Sequence, residues 1–98
     1  MASFPTDAEQ VVMRILQSEP KGLYGLQIVE QSRGVIKRGS VYVLLGRLEK
    51  KGFVEAARLP AARNHSGLVR PIYQLSAEGV RTLSFIRTQR ERLAGTFA

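Results

Sequence analysis

Residues 36–55, IKRGSVYVLLGRLEKKGFVE, restrict the possible folds more than any other stretch. They predict a helix over 38–51 that stops at Gly52 and passes directly into a strand. On a 3.6-residue wheel Val41, Leu44, Leu45 and Leu48 fall on one face, the spacing of a buried stripe. Gly39, Val43, Gly46, Arg47 and Lys50 fall on the opposite face, with Ser40 and Tyr42 on its flanks. A glycine inside a helix costs about 1 kcal/mol relative to alanine. Two of them on a small, flat, basic face suit the close approach of another molecule's backbone. A solvated face with incidental glycines is the alternative.

Charge supports the first reading. Of the chain's 98 residues, those from Arg33 to Arg70 hold nine basic and two acidic side chains, which accounts for the whole net charge of +7. The other residues balance at six basic and six acidic. A basic region confined to the middle of the chain is the footprint of a polyanion-binding surface. The length fits one domain. With no cysteine, disulfide and thiolate chemistry are excluded. The N-terminal residues MASFPTDAEQVV do not resemble a signal peptide, and no apolar run is long enough to cross a membrane. A cytoplasmic protein is expected, associated with the nucleoid should its polyanion be DNA.

In chain order, Thr6 and Glu9 form a capping box for a first helix over 7–18, with Ala8, Val12, Ile15 and Leu16 as its apolar stripe. A shorter helix over 23–32 uses Leu23, Leu26, Ile28 and Val29. After the organising helix, residues 53–59 and 68–75 read as two strands of a hairpin around the polar loop PAARNHSG, with Pro71 favouring an edge. Ser76 caps a last helix running to about residue 95. Along it Gly79, Leu83, Ile86, Arg90, Leu93 and Phe97 form a heptad-like seam. The seam either pairs with a second subunit or packs on the chain's own first helix. The fold class is mainly α with a small β-hairpin, a winged helix-turn-helix in the order helix, helix, helix, strand, strand, helix. Residues 1–76 make the winged helix and 77–98 the dimerisation helix.

The segments LYGLQIVEQSRG, IKRGSVYVLLGRLEKKGFVE and RPIYQLSAEG, in this order, resemble the PadR-like transcriptional regulators. Leu23, Tyr24 and Gly25 match the motif that opens the family's second helix. Gly39, Ser40, Val41, Tyr42, Leu44, Leu45, Arg47, Leu48 and Glu49 match its recognition helix, and Gly52, Phe53 and Val54 the exit. Ile72, Tyr73, Leu75, Ser76 and Gly79 match the return of its wing. Lys37 and Arg38 replace a Ser-Pro pair that commonly caps the recognition helix, and Val43 stands where proline is frequent. The first exchange trades a cap for charge. With one helix after the wing, the chain is similar to the short subgroup, for which the resemblance implies dimerisation through the first and last helices.

The function expected is a sequence-specific double-stranded DNA-binding regulator, a repressor acting as a homodimer on a palindromic operator. Helix 38–51 enters the major groove and the wing, 59–68, lies on the adjacent backbone or minor groove. Lys37, Arg38, Gly39, Ser40, Tyr42, Val43, Arg47, Lys50, Arg63, His65 and Arg70 are the candidate DNA-binding residues. Val12, Leu83, Ile86, Arg90, Leu93 and Phe97 are the candidate dimer interface. Some family members bind aromatic effectors near that interface. This chain has no tryptophan, and Phe4, Phe85 and Phe97 are weak substitutes, so a modest pocket or none is expected. No catalytic constellation, cofactor motif or metal-ligand cluster is present: His65 is the sole histidine, and Asp7 and Glu9 are explained by capping. An alternative function is a winged-helix module that binds a protein partner rather than specific DNA.

Overall fold

The computed structural model describes residues 4–57 and 70–97, and side chains as far as residue 95. Thr6 starts the first helix, α1 (Asp7–Gln17), as the capping box requires. The Thr6 amide donates to Glu9 Oε1 at 2.9 Å and the Glu9 amide to the Thr6 hydroxyl oxygen at 3.2 Å. The inward stripe of α1 is Glu9, Val12, Met13 and Leu16, and Ala8 is exposed. The expectation for Ala8 is off by one position, because Glu9, an acidic residue, is turned inward and takes the place on the wheel that an apolar residue would fill.

Helix α2 (Gly25–Gln31) starts two residues later than the periodicity suggests. Leu23 is drawn out of it into an antiparallel bridge with Tyr73, donating at 3.0 Å and accepting at 2.8 Å. The Tyr24 amide, freed from helical pairing, donates to Gln27 Oε1 at 2.8 Å. Ile28 is the fully buried residue of α2, whereas Leu26 is exposed. Ser32 then ties the turn: its hydroxyl donates to Val29 O, and the Ile36 amide donates to its oxygen.

Helix α3 (Arg38–Lys51) has the expected boundaries and the expected buried stripe, Val41, Leu44, Leu45 and Leu48. Gly52 ends it at φ 82°, a left-handed conformation that glycine adopts without a Cβ penalty. Strands β1 (Val54–Ala57) and β2 (Ile72–Leu75) pair antiparallel, Val54 opposite Leu75 and Ala57 opposite Ile72. Pro71 lies just before β2 rather than inside it, so no ladder bond is lost. The expected outer ends of the strands, at 58–59 and 68–69, fall outside the described residues.

Helix α4 (Ala77–Phe97) is capped by Ser76, whose oxygen accepts from the Gly79 amide at 3.0 Å. The same hydroxyl donates to Gly52 O at 2.7 Å, so the end of α3 and the start of α4 meet at one side chain. Gly79 belongs to this junction, since a Cβ there would collide with the Phe53 carbonyl oxygen. The helical seam divides. Leu83 and Ile86 are buried against α1, the second of the two alternatives for this part of the helix. From Arg87 to Gly95 every residue is exposed, Leu93 to 58%.

Candidate nucleic-acid interface

The two faces of α3 differ in how the rest of the chain treats them. Inward, Val41, Leu45 and Leu48 are sealed into the core with α1 and α2. Outward, Gly39, Ser40, Val43, Gly46, Arg47 and Lys50 are all exposed. A Cβ added at Gly39 or Gly46 would meet nothing within 4 Å. No packing among the described residues therefore explains these glycines, and they leave a flat surface on which another backbone can lie close to the helix. Val43 is 55% exposed, an apolar side chain held in water beside Arg47.

The ends of α3 carry its basic residues in unlike ways. Lys37 is the N-cap residue and makes no side-chain capping bond. Lys37 and Arg38 are exposed at the positive end of the helix dipole, where cations are disfavoured. Helix stability does not account for charge placed there. At the other end Lys50 is exposed and has no hydrogen bond or ion pair among the described residues. Its neighbour Lys51 is committed internally. Lys51 Nζ lies 2.5 Å from Glu9 Oε1 and 3.2 Å from the Phe4 carbonyl oxygen. Burial pushes the Glu9 carboxyl up, but the hydrogen bonds from Lys51 and the Thr6 amide, together with the charges of Lys51 and Arg47, outweigh it and hold the carboxyl below its ordinary range. Glu9 Oε2 has no hydrogen-bond partner among the described residues.

Tyr42 stands on the flank of α3 toward α2. Its ring lies against the backbone of Gly25, where a Cβ would come within 2.6–2.8 Å of the ring and hydroxyl atoms. Arg70 places its guanidinium 5.5 Å from the centroid of the Tyr24 ring. Of the candidate residues, those on α3 thus share one surface, with Arg70 beside it, two residues before β2. Arg63 and His65 lie outside the described residues. Val12, Leu83 and Ile86 are buried within the chain, and Leu83 and Ile86 form the floor of an open groove beside Arg14, Arg87 and Arg90. Arg90 and Leu93 are exposed, Arg90 reaching Gln10 Oε1 at 3.4 Å, and the Phe97 side chain is outside the description. Phe4 and Phe85 line one open groove together with Phe53.

Sequence reasoning missed two contacts. Glu9 and Lys51 are 42 residues apart, and each has a sufficient local explanation, as a capping residue and as a last-turn cation. Tyr24 counted only as part of a motif, with nothing to join it to Arg70. Among the described residues no group of His, Cys, Asp and Glu could hold a metal ion, and no helix is long and apolar enough to cross a membrane.

Residues 12–84 match the model of the transcriptional regulator PadR-like family. No curated protein gives a significant match to the chain. Among solved structures, a PadR-like transcription factor from Bacteroides fragilis superposes with a TM-score of 0.74 at 23% identity, covering 91% of this chain and 84% of that one. A PadR family regulator from hypervirulent Clostridium difficile gives a TM-score of 0.72 at 26% identity over 94% of both chains. The PcaV transcriptional regulator of Streptomyces coelicolor, solved with its natural ligand, gives a TM-score of 0.74 at 24% identity, and here the match spans only 60% of the longer protein. The order of elements, the hairpin and the packing of α3 are those of a winged helix-turn-helix. By its sequence match from residue 12 to residue 84, the chain belongs to the PadR-like family of transcriptional regulators.

Proposed function

We propose that the chain is a homodimeric, sequence-specific repressor that binds double-stranded DNA with α3 in the major groove. One observation carries the reading: α3 turns a basic, glycine-flattened face outward that no other described residue covers. In this arrangement Ser40, Val43 and Arg47 reach base edges. Arg47 is the guanine reader, a bidentate contact worth about 1–3 kcal/mol of discrimination. Lys37, Arg38, Tyr42 and Lys50 hold phosphates, which position the helix without specifying sequence. Arg63 and His65, in the wing at 59–68, touch the minor groove or its backbone. Residues 1–76 act as the DNA-binding unit and 77–98 as the dimerisation helix, in which Leu93, Arg90 and Phe97 face the second copy. Two-fold symmetry then sets the recognition helices about one duplex turn apart on a palindromic operator. A small aromatic effector, if one acts on this protein, has the groove of Phe4, Phe53 and Phe85 as its most suitable place.

The test is fluorescence anisotropy with duplex DNA from upstream of the protein's own coding region, over a salt series and against random duplex. Binding that survives the competitor and falls steeply with salt is expected. Arg47→Ala should bring specific and random affinities together. Lys50→Ala should weaken both alike and lower the salt slope by about 0.9, one phosphate's share. Absence of binding at low salt would overturn the proposal.

A further inference from the structure

The motif residues Tyr24 and Gly25 have a use that neither the core nor the outer face of α3 absorbs. Both lie where α2, α3 and the returning end of the hairpin converge. Backbone bonds fix this place from two sides. The Leu23–Tyr73 bridge fastens the residue before Tyr24 to β2, and the Tyr24 amide is held by Gln27. The same bridge brings Arg70, two residues before β2, over the Tyr24 ring at 5.5 Å, within the distance of a cation–π contact. Tyr42 approaches from α3 across Gly25, where only a residue without a side chain leaves room. Tyr24, Tyr42 and Arg70, with Leu26 and Pro71 at the margin, line one open groove.

We infer that this groove is a second phosphate-binding site, in which Tyr24 is the positioning residue for Arg70 and a DNA phosphodiester is the ligand. The inference rests on the DNA-binding reading of α3. Stacking occupies the face of a guanidinium and leaves its N–H edge free to donate. Arg70 is exposed, and no carboxylate pairs with it among the described residues. A guanidinium already held in place loses less freedom when it binds an anion than one on a loose chain, so the tyrosine face contributes to affinity without touching DNA. Tyr42, 51% exposed, lines the same groove. The groove flanks α3 between that helix and the hairpin. A backbone strand bordering the major groove passes there when α3 is inserted.

The experiment measures binding of operator and random duplex across a salt series for the wild type, Tyr24→Leu, Tyr24→Phe, Arg70→Ala and the double variant Tyr24→Leu/Arg70→Ala. Tyr24→Met is the alternative if leucine unfolds the chain, folding being checked by circular dichroism. Arg70→Ala should lose one phosphate's share of the salt slope, about 0.9, equivalent to about eightfold weaker binding at 0.1 M salt. Tyr24→Leu should lose most of the same amount, equally for both duplexes, and Tyr24→Phe should keep wild-type behaviour because the ring remains. The double variant should bind no worse than Arg70→Ala alone. Unchanged binding by Tyr24→Leu, losses that add in the double variant, or a loss in Tyr24→Phe equal to that in Tyr24→Leu would each overturn the inference. If Arg47→Ala and Lys50→Ala still impair binding in those cases, the reading of α3 stands and only the groove is wrong. A wild type that binds no duplex removes both.

Discussion

The two ends of α3 are built on opposite plans. At the C-terminal end Gly52 supplies the left-handed cap, Ser76 donates to the Gly52 carbonyl, and Lys51 is paired with buried Glu9. At the N-terminal end there is no side-chain cap, and Lys37 and Arg38 sit against the helix dipole. One end is finished by the chain itself. The other carries features that weaken an isolated helix and become favourable once a polyanion is present. A helix anchored at one end and left incomplete at the other suggests how stability and recognition can be separated within fourteen residues.

Lys51→Ala should give the largest effect and the sharpest test of this contrast. It leaves the fully buried Glu9 carboxylate without its cation, and breaking such a pair costs about 3 kcal/mol. Urea denaturation measures the loss. The DNA salt slope should not change, whereas Lys50→Ala should leave stability alone and lower the slope. If Lys51→Ala shifted the slope like Lys50→Ala, the distinction between the two lysines would fail.

The same pair governs the acid limb of stability. Because the folded carboxyl of Glu9 lies below its ordinary value, the unfolded chain takes up a proton first as pH falls. The stabilisation is therefore complete above the ordinary glutamate range near pH 4.3 and is lost as pH drops through the lower folded value. In Lys51→Ala the hydrogen bond and charge that lower the carboxyl are gone and burial remains, so stability should begin to change at a higher pH. Denaturation midpoints from pH 3 to pH 7 would reveal an unchanged profile if Glu9 did not depend on Lys51.

Ser76→Ala removes the cap of α4 and the bond to Gly52 together, for about 1–2 kcal/mol. The smallest effect belongs to the opposite end. Lys37→Ser should stabilise by about 0.5–1 kcal/mol, because serine supplies the missing N-cap to a residue already at extended φ −86° and ψ 153°. It should also weaken DNA binding through the lost charge. A variant that lost stability, or that bound DNA more tightly, would break the comparison at this end.

How much of this was legible in the sequence depends on distance along the chain. The capping box of α1, both boundaries of α3, the Gly52 cap and the Ser76 cap are written within a few residues, and the structure has each where the local chemistry puts it. The later start of α2 was not legible, because it depends on Leu23 choosing a strand partner fifty residues away. Met13 was missed and Ala8 wrongly included, since the inward turn of Glu9 rests on Lys51 from another helix. On the outer face of α3, the exposed side chains follow from the wheel alone. The seam of α4 was legible as a pattern, but the pattern does not tell that Leu83 and Ile86 lie within the chain's own body while Leu93 extends beyond it.

The hydroxyl of Ser76 also has a mechanical meaning. It accepts from the first turn of α4 and donates to the carbonyl of Gly52, the cap of α3, and the Ser76 amide donates to Phe53 O at 2.9 Å, so one residue joins the end of α3 to the start of α4. Beyond this root, Leu83 and Ile86 hold the first half of α4 on the body, and the exposed remainder from Arg87 onward is an arm about 16 Å long at 1.5 Å per residue. A tilt of about 5° displaces the far end of such an arm by about 1.4 Å. A force applied to the exposed tip therefore meets the packing of Leu83 and Ile86 on α1 before it reaches the Ser76 junction at the end of α3.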